Sequence, residues 1–252
     1  ITSFGQAAFC GIGAYTTAVL STKFGWSPWL TLPVALAITF AVSAVLGLVT
    51  MRLSGHYLPL GTIAWGISLY FLFPQLDILG RHDGISRIPP LSIAGFEFID
   101  GRAIYFVIWI AVGLVSLATL NLLDSRMGRA IRALRGGGVA AESFGVSVQR
   151  VKLIVFIYAA LLAAISGWLY AHMQRAVAPG PFGINAGIEY LLMAVLGGPG
   201  YIAGAILGSG IVVLLKDQLQ RILPALFGAQ GSYELIVLGA LLAILLETAR
   251  EG

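Results

Sequence analysis

Three arginines in one polar segment have a spacing that could bind negative charge. Arg129, Arg132 and Arg135 recur every three residues. In a helix they would share one side, while Ile131 and Leu134 would project from another. A basic amphipathic helix of this kind can lie against anionic lipid at a membrane surface. The alternative is a docking element, and the residues that follow bear on it.

A second, shorter element comes after a run of glycines at 136–138. Ala140, Ala141 and Glu142 precede Gly145, which predicts a short helix with a small-residue face, one acid and a glycine stop. Such a helix suits docking into a groove on a partner protein. The glycine run itself predicts a flexible break between the two helices.

Enzyme chemistry has no support in the sequence. No Gly-x-x-x-x-Gly-Lys-[Ser/Thr] loop is present to hold ATP phosphates. No serine, cysteine or carboxylate stands in a pattern with a base. The histidines are scattered and the cysteine is single, so neither zinc nor an internal disulfide is indicated. We expect no enzyme activity and no bound cofactor or metal, and any ATP must be used by another polypeptide or domain.

Ionisable residues inside apolar stretches are few. Glu189, Glu234 and the adjacent Lys216 and Asp217 lie near the ends of apolar stretches. Charge within a membrane is costly and often functional. Near the end of a span, however, a long side chain can reach the interface, and this is the simpler interpretation here.

Uncharged polar residues inside the apolar stretches are candidates for the wall of a polar path. An interhelical hydrogen bond is the alternative role for each. The candidates are Gln6, Tyr57, Thr62, Ser68 and Asn185.

Small residues also recur at helical spacing. Gly200, Gly204 and Gly208 fall at i, i+4 and i+8, a pattern that lets another helix approach closely. Plain helix packing explains it, and a stripe that slides during gating is the functional alternative.

Composition gives the class of protein that must position these residues. The chain has 252 residues, of which 58% are hydrophobic and 10% are charged, against roughly 25% charged in soluble domains. So few charged side chains cannot cover a soluble core of this size. A membrane protein is indicated, and the net charge of +4 is better explained by membrane topology than by nucleic-acid binding.

The apolar stretches predict an all-α, polytopic transmembrane bundle of seven or eight spans, since a span needs about 20 apolar residues. The sixth and seventh are short and meet at residues 197–200, which predicts a tight hairpin or a broken helix. The predicted spans cover residues 6–20, 29–50, 57–76, 103–123, 151–173, 187–199, 201–216 and 233–248.

Basic residues suggest the orientation. Residues 124–152 carry six of the fifteen lysines and arginines, which places this loop in the cytoplasm. Alternation then puts residues 77–102 outside, and residues 51–56 and the C-terminus inside. Because Ile1 stands within an apolar stretch, we expect one or more N-terminal helices to precede it.

The order Gly-Arg-Ala-x-Arg-Ala-x-Arg from Gly128, then Ala-Ala-Glu-x-x-Gly-Val from Ala140, resembles the cytoplasmic coupling loop of permease subunits of branched-chain amino acid ABC importers. The resemblance is to the LivM type and extends over nearly the whole chain. The glycines at 136–138 replace a charged or amide run of that family. Four other stretches agree with the resemblance, at residues 4–16, 55–64, 83–85 and 188–198.

This resemblance implies a single permease domain over residues 1–252 with a coupling loop at about 124–150. It implies a second, LivH-like permease subunit, ABC ATPase subunits or a fused ATPase domain, an extracytoplasmic binding protein, and the bacterial inner membrane. Arg129, Arg132, Arg135 and the helix around Glu142 would contact the ATPase. The implied substrates are aliphatic amino acids, with urea or short amides as the alternative. An ion-coupled transporter and a non-transporting scaffold are further alternatives.

Overall fold

The computed structural model describes residues 3–51, 53, 57–93, 96–198, 200–227 and 239–240. They are mostly helical and divide into two compact units, Ile1–Gly183 and Ile184–Gly252. The first unit holds seven α-helices among its described residues: α1 Gln6–Lys23, α2 Pro28–Thr50, α3 Tyr57–Leu72, α4 Gly101–Asp124, α5 Arg126–Ala133, α6 Gly138–Ser143 and α7 Val148–Gln174.

Helix α1 is the centre of the first unit and packs against α7 and α2. Its contact with α7 is made by backbone atoms, because both helices carry glycines there. A Cβ on Gly13 would lie 2.4 Å from the Ala164 carbonyl oxygen, and one on Gly167 would lie 1.9 Å from that of Cys10. Small residues let membrane helices approach this closely. The surrounding core includes Phe9, Tyr15, Phe73, Phe156 and Phe182.

The segment between α3 and α4 folds back onto the end of α7. Strand β1, Ile85–Ser86, pairs antiparallel with β4, Ala176–Val177, and β2, Ser92–Ile93, pairs with β3, Phe96–Glu97. A buried histidine on α7, His172, has its Nδ1 2.9 Å from the Pro89 carbonyl oxygen. The segment therefore packs on the end of α7 through short strands and a buried polar contact.

The second unit is an antiparallel hairpin of α8, Ile184–Leu196, and α9, Ile202–Phe227. Leu192 and Val212 form its buried apolar centre. A Cβ on Gly204 would lie 1.9 Å from the Gly197 carbonyl oxygen, and one on Gly208 would lie 2.2 Å from that of Met193. The two helices thus approach to backbone contact along this edge.

Gly200 does not belong to the helical stripe predicted with Gly204 and Gly208. It lies before α9 begins and has a φ of +112°, while Gly198 has a φ of +83°. Left-handed backbone of this kind reverses the chain and suits glycine. The stripe on α9 therefore starts at Gly204, and of the two alternatives for this junction the structure has the tight hairpin.

Five helices in the described part of the chain are long and apolar enough to cross a membrane. They are α2, α3 with the turn that follows it, α4, α7 and residues 202–222 of α9. Helix α1 is also present but less apolar, and α8 has only 13 residues. An all-α polytopic membrane fold is confirmed, and the described residues hold a helix at each of the first seven predicted spans. The eighth predicted span, 233–248, lies almost entirely outside the described residues.

Candidate functional site

The polar segment between α4 and α7 is tightly bound to the end of α4. The Ser125 hydroxyl accepts hydrogen bonds from the Met127 and Gly128 N–H groups, at 3.1 and 3.4 Å, and so caps α5. A Cβ on Gly128 would lie 1.8 Å from the Leu123 carbonyl oxygen. Only glycine fits this turn, so the start of α5 lies directly against the end of α4.

The three arginines differ in their surroundings. Arg132 donates from Nη1 to the Leu123 carbonyl oxygen, 2.9 Å away, where a cation is favoured by the C-terminal carbonyls of α4. Arg129 is exposed on α5. Arg135 lies beyond α5, in the 3₁₀ turn Leu134–Gly136. The structure thus assigns Arg132 a capping role that the spacing of the three residues did not predict.

Helix α6 ends at a glycine that its geometry requires. Gly145 has a φ of +79°. Its N–H donates to the Glu142 carbonyl oxygen at 2.9 Å, and the Val146 N–H donates to that of Ala141 at 3.0 Å. These two bonds form a Schellman motif. The helix starts after Gly137, whose φ of +109° breaks the path from α5.

The candidate docking residues on α6 divide into exposed and buried ones. Ala140 and Glu142 are exposed, whereas Ala141 is buried. Because α6 contacts α7, we interpret Ala141 as a residue that packs α6 against the rest of this chain. A partner could reach only the exposed side of the helix.

Two apolar residues of this segment were not among the predicted docking residues. Val139 is 81% exposed and Phe144 is 87% exposed, which makes them the most exposed large hydrophobic side chains of the described residues. They flank Glu142 on a segment that carries mostly charged and small residues. The sequence offered a weak signal, a phenylalanine within an otherwise polar loop, but exposure depends on the folded arrangement.

One polar-path candidate, Thr62, lies near the start of α1, where a second candidate, Gln6, is found. The Thr62 hydroxyl of α3 accepts from the Phe4 N–H at 3.3 Å, and Thr62 is buried. Gly5 and Gln6 follow directly at the start of α1. The Gln6 Oε1 atom is buried and has no hydrogen-bond partner among the described residues. Leaving a buried acceptor unpaired costs roughly 1–3 kcal/mol.

The other path candidates are placed elsewhere. Ser68 is exposed, and its hydroxyl donates to the Ala64 carbonyl oxygen of its own helix at 2.8 Å. Tyr57 is 70% exposed at the start of α3. Asn185 is exposed on α8, in the second unit. Among the candidates, only Thr62 contacts the residues directly before Gln6, through the Phe4 N–H.

Charged residues on the hairpin pair with one another. Lys216 on α9 donates to the Glu189 carboxylate on α8, with 2.5 Å between Nζ and Oε1. Asp217 pairs with Arg221 on the same helix at 2.8 Å. The first pair was missed because its members are 27 residues apart in the chain, and only the register of the hairpin brings them together.

Comparison with known proteins identifies relatives over almost the whole chain. Residues 1–246 match the family described as branched-chain amino acid transport system, permease component. The LivM permease protein of the Escherichia coli K12 high-affinity branched-chain amino acid transport system is 30% identical over 98% of this chain and 62% of its own length. This chain thus spans less than two thirds of that relative.

Two further relatives broaden the comparison. A probable LivH branched-chain amino acid permease of Methanocaldococcus jannaschii is 27% identical over 90% of this chain and 74% of its own length. The ribose import permease RbsC of Escherichia coli K12 is 31% identical over 57% of this chain and 46% of its own length. No solved structure matches.

Proposed function

Because the chain belongs to the family of branched-chain amino acid transport permease components, we propose that it is a transmembrane subunit of an ATP-driven ABC importer for these amino acids. The chain itself has no phosphate-binding loop. Its task is to couple the motion of ATPase partners to substrate movement. The LivM relative supports the substrate class.

One structural observation carries the coupling role: the exposed Val139 and Phe144 around Glu142. Each is an apolar side chain on a segment, residues 125–147, that carries four arginines and lies outside the spans. Covering a large apolar side chain contributes roughly 1.5–3 kcal/mol. The segment is therefore built to be covered by a protein groove, with Glu142 available for a cation on the partner.

The same segment can transmit force because both its ends are anchored. Gly128 and Arg132 hold α5 against the end of α4, through the Leu123 carbonyl oxygen. Ala141 holds α6 against this chain, and α6 contacts α7. Helix α7 in turn contacts α1 at Gly13 and Gly167. Movement of a docked ATPase would therefore displace α4 and α7 and reach α1, switching the path between its inward-facing and outward-facing forms.

Partners and location follow from this proposal. A second, LivH-like permease subunit completes the path, two ATPase domains dock on the cytoplasmic segment, and an extracytoplasmic binding protein delivers substrate. The ATPase is a separate subunit or a fused domain. The membrane is the bacterial inner membrane. On the path itself, Gln6 and Thr62 are the candidate wall residues in the first unit; Gln6 has a buried acceptor without a partner among the described residues, and Thr62 binds the Phe4 N–H.

Uptake of labelled leucine tests the proposal. The full-length permease, its partners and the binding protein are placed in proteoliposomes with and without ATP on the ATPase side. We expect ATP-dependent uptake that unlabelled isoleucine competes and urea does not. Competition by urea alone would indicate that the substrates are urea or short amides. Uptake driven by an ion gradient without ATP would contradict the ABC mechanism.

A further inference from the structure

A polar seam runs along the hairpin of α8 and α9. At its centre Lys216 pairs with Glu189 at 2.5 Å, and their side chains are 32% and 16% exposed. The pair is thus partly open on one side. Lys216 lies within residues 202–222, one of the stretches apolar enough to cross a membrane.

Helix geometry extends this seam by one turn. Asn185 precedes Glu189 by four residues on α8, and Gln220 follows Lys216 by four residues on α9. Residues four apart share a helix face. Because the helices are antiparallel, both amides fall on the same end of the seam. Two opposite charges are therefore followed by two amides.

Apolar residues border the pair. Leu192 and Val212 are buried one turn towards the hairpin turn, and Val213 is 56% exposed beside them. Glu189 lies about 12 Å along α8 from Gly197, at 1.5 Å per residue. An ionisable pair at such a place in a membrane helix is a functional candidate.

We propose that Glu189 and Lys216 bind the zwitterionic backbone of an aliphatic amino acid by exchanging partners with it. The ligand ammonium would pair with the Glu189 carboxylate, and the ligand carboxylate with the Lys216 ammonium. The exposed Val213 would contact the aliphatic side chain, and Asn185 would offer its amide. This inference rests on the proposed function, which supplies the substrate class.

Partner exchange suits a transport path. It replaces one ion pair by two and changes no net charge, so no unpaired charge is left in apolar surroundings. The internal pair competes with the ligand and keeps the site weak. A step on a path must release its ligand as readily as it binds it, and this competition provides that property.

A cysteine reporter at Val213 tests the site while leaving the pair intact. Val213→Cys is made in a Cys10→Ser background of the full transporter, and the maleimide labelling rate is measured with and without leucine. At about nine times the Kd of the site, labelling should slow about tenfold, because only about a tenth of the sites stay free. Isovalerate and isoamylamine each lack one charge of the ligand and should protect much less.

Variants of the pair provide the controls. Glu189→Gln and Lys216→Met should each abolish protection, and the double swap Glu189→Lys with Lys216→Glu should restore it. Asp217→Asn removes the exposed pair with Arg221 on the same helix and should leave protection unchanged.

The outcomes separate this inference from the proposed function. Leucine uptake without protection of the reporter in Val213→Cys would overturn the zwitterion site alone. Protection that persists in both Glu189→Gln and Lys216→Met would do the same, since the pair would then have only a structural role. Absence of ATP-dependent leucine uptake in the unmodified transporter would overturn the proposed function, and this inference with it.

Discussion

Gly167 of α7 lies directly against the carbonyl oxygen of Cys10 on α1, so close that a Cβ on Gly167 would be 1.9 Å from that oxygen. Both groups are part of helix backbones, so a side chain at position 167 would require one of the two helices to move. Since α1 is largely buried and packs against α7, this contact fixes the centre of the first unit.

Gly167→Ala should therefore push the two helices apart. We expect a loss of about 1–3 kcal/mol or more from overpacking, seen as a lower unfolding temperature of the purified full-length protein in detergent. Gly113→Ala on α4 is the matched control, because a Cβ there meets nothing within 4 Å. Equal unfolding temperatures for the two variants would contradict this packing.

Gly145→Ala should disturb the end of α6. Its φ of +79° costs an L-residue about 1–2 kcal/mol, so the chain after Glu142 would change direction. We expect weaker ATPase binding and less uptake with normal membrane insertion. Gly136→Ala, which has open space and no positive φ, should behave as wild type, and identical losses in both variants would refute the role of the left-handed stop.

Gln6→Met tests whether the free acceptor near Thr62 serves the path. The substitution keeps a similar volume and removes a buried unpaired oxygen, so thermal stability should be unchanged or higher. If Gln6 lines the path, leucine uptake should nevertheless fall. Unchanged uptake would show that Gln6 does not line the path and has only a packing role.

The orientation can be tested by labelling cysteines in intact cells. Gly136→Cys lies in the connecting segment and should react only with a reagent that enters the cytoplasm. His82→Cys, exposed in the segment between α3 and α4, should react with an impermeant reagent added outside. The reversed pattern would invert the topology deduced from the basic residues.

Sequence patterns predicted a helix or its end well where the signal lies within that one helix. The span predicted at 29–50 corresponds to α2 at Pro28–Thr50, and the stop at Gly145 follows from one residue with special backbone freedom. Hydropathy and glycine positions are local signals, so they can be interpreted without knowledge of the fold.

Relationships between distant segments were not predictable in the same way. Glu189 and Lys216 each look like residues near the end of a span, and only the hairpin register pairs them. Ile85 of β1 pairs with Val177 of β4 although about half of the first unit's sequence separates them. Phe144 is exposed because no other part of the described fold packs over it. The residue type alone could not distinguish it from a core phenylalanine.

If the segment around α6 couples this permease to its ATPase partner, changes in that segment should alter the affinity between the two proteins. Phe144→Ser should weaken binding about tenfold or more, since removing a covered apolar side chain costs roughly 1.5–3 kcal/mol and 1.4 kcal/mol is a factor of ten. Phe144→Leu keeps apolar bulk and should bind nearly as wild type. Equal affinities for wild type, Phe144→Leu and Phe144→Ser would contradict the account.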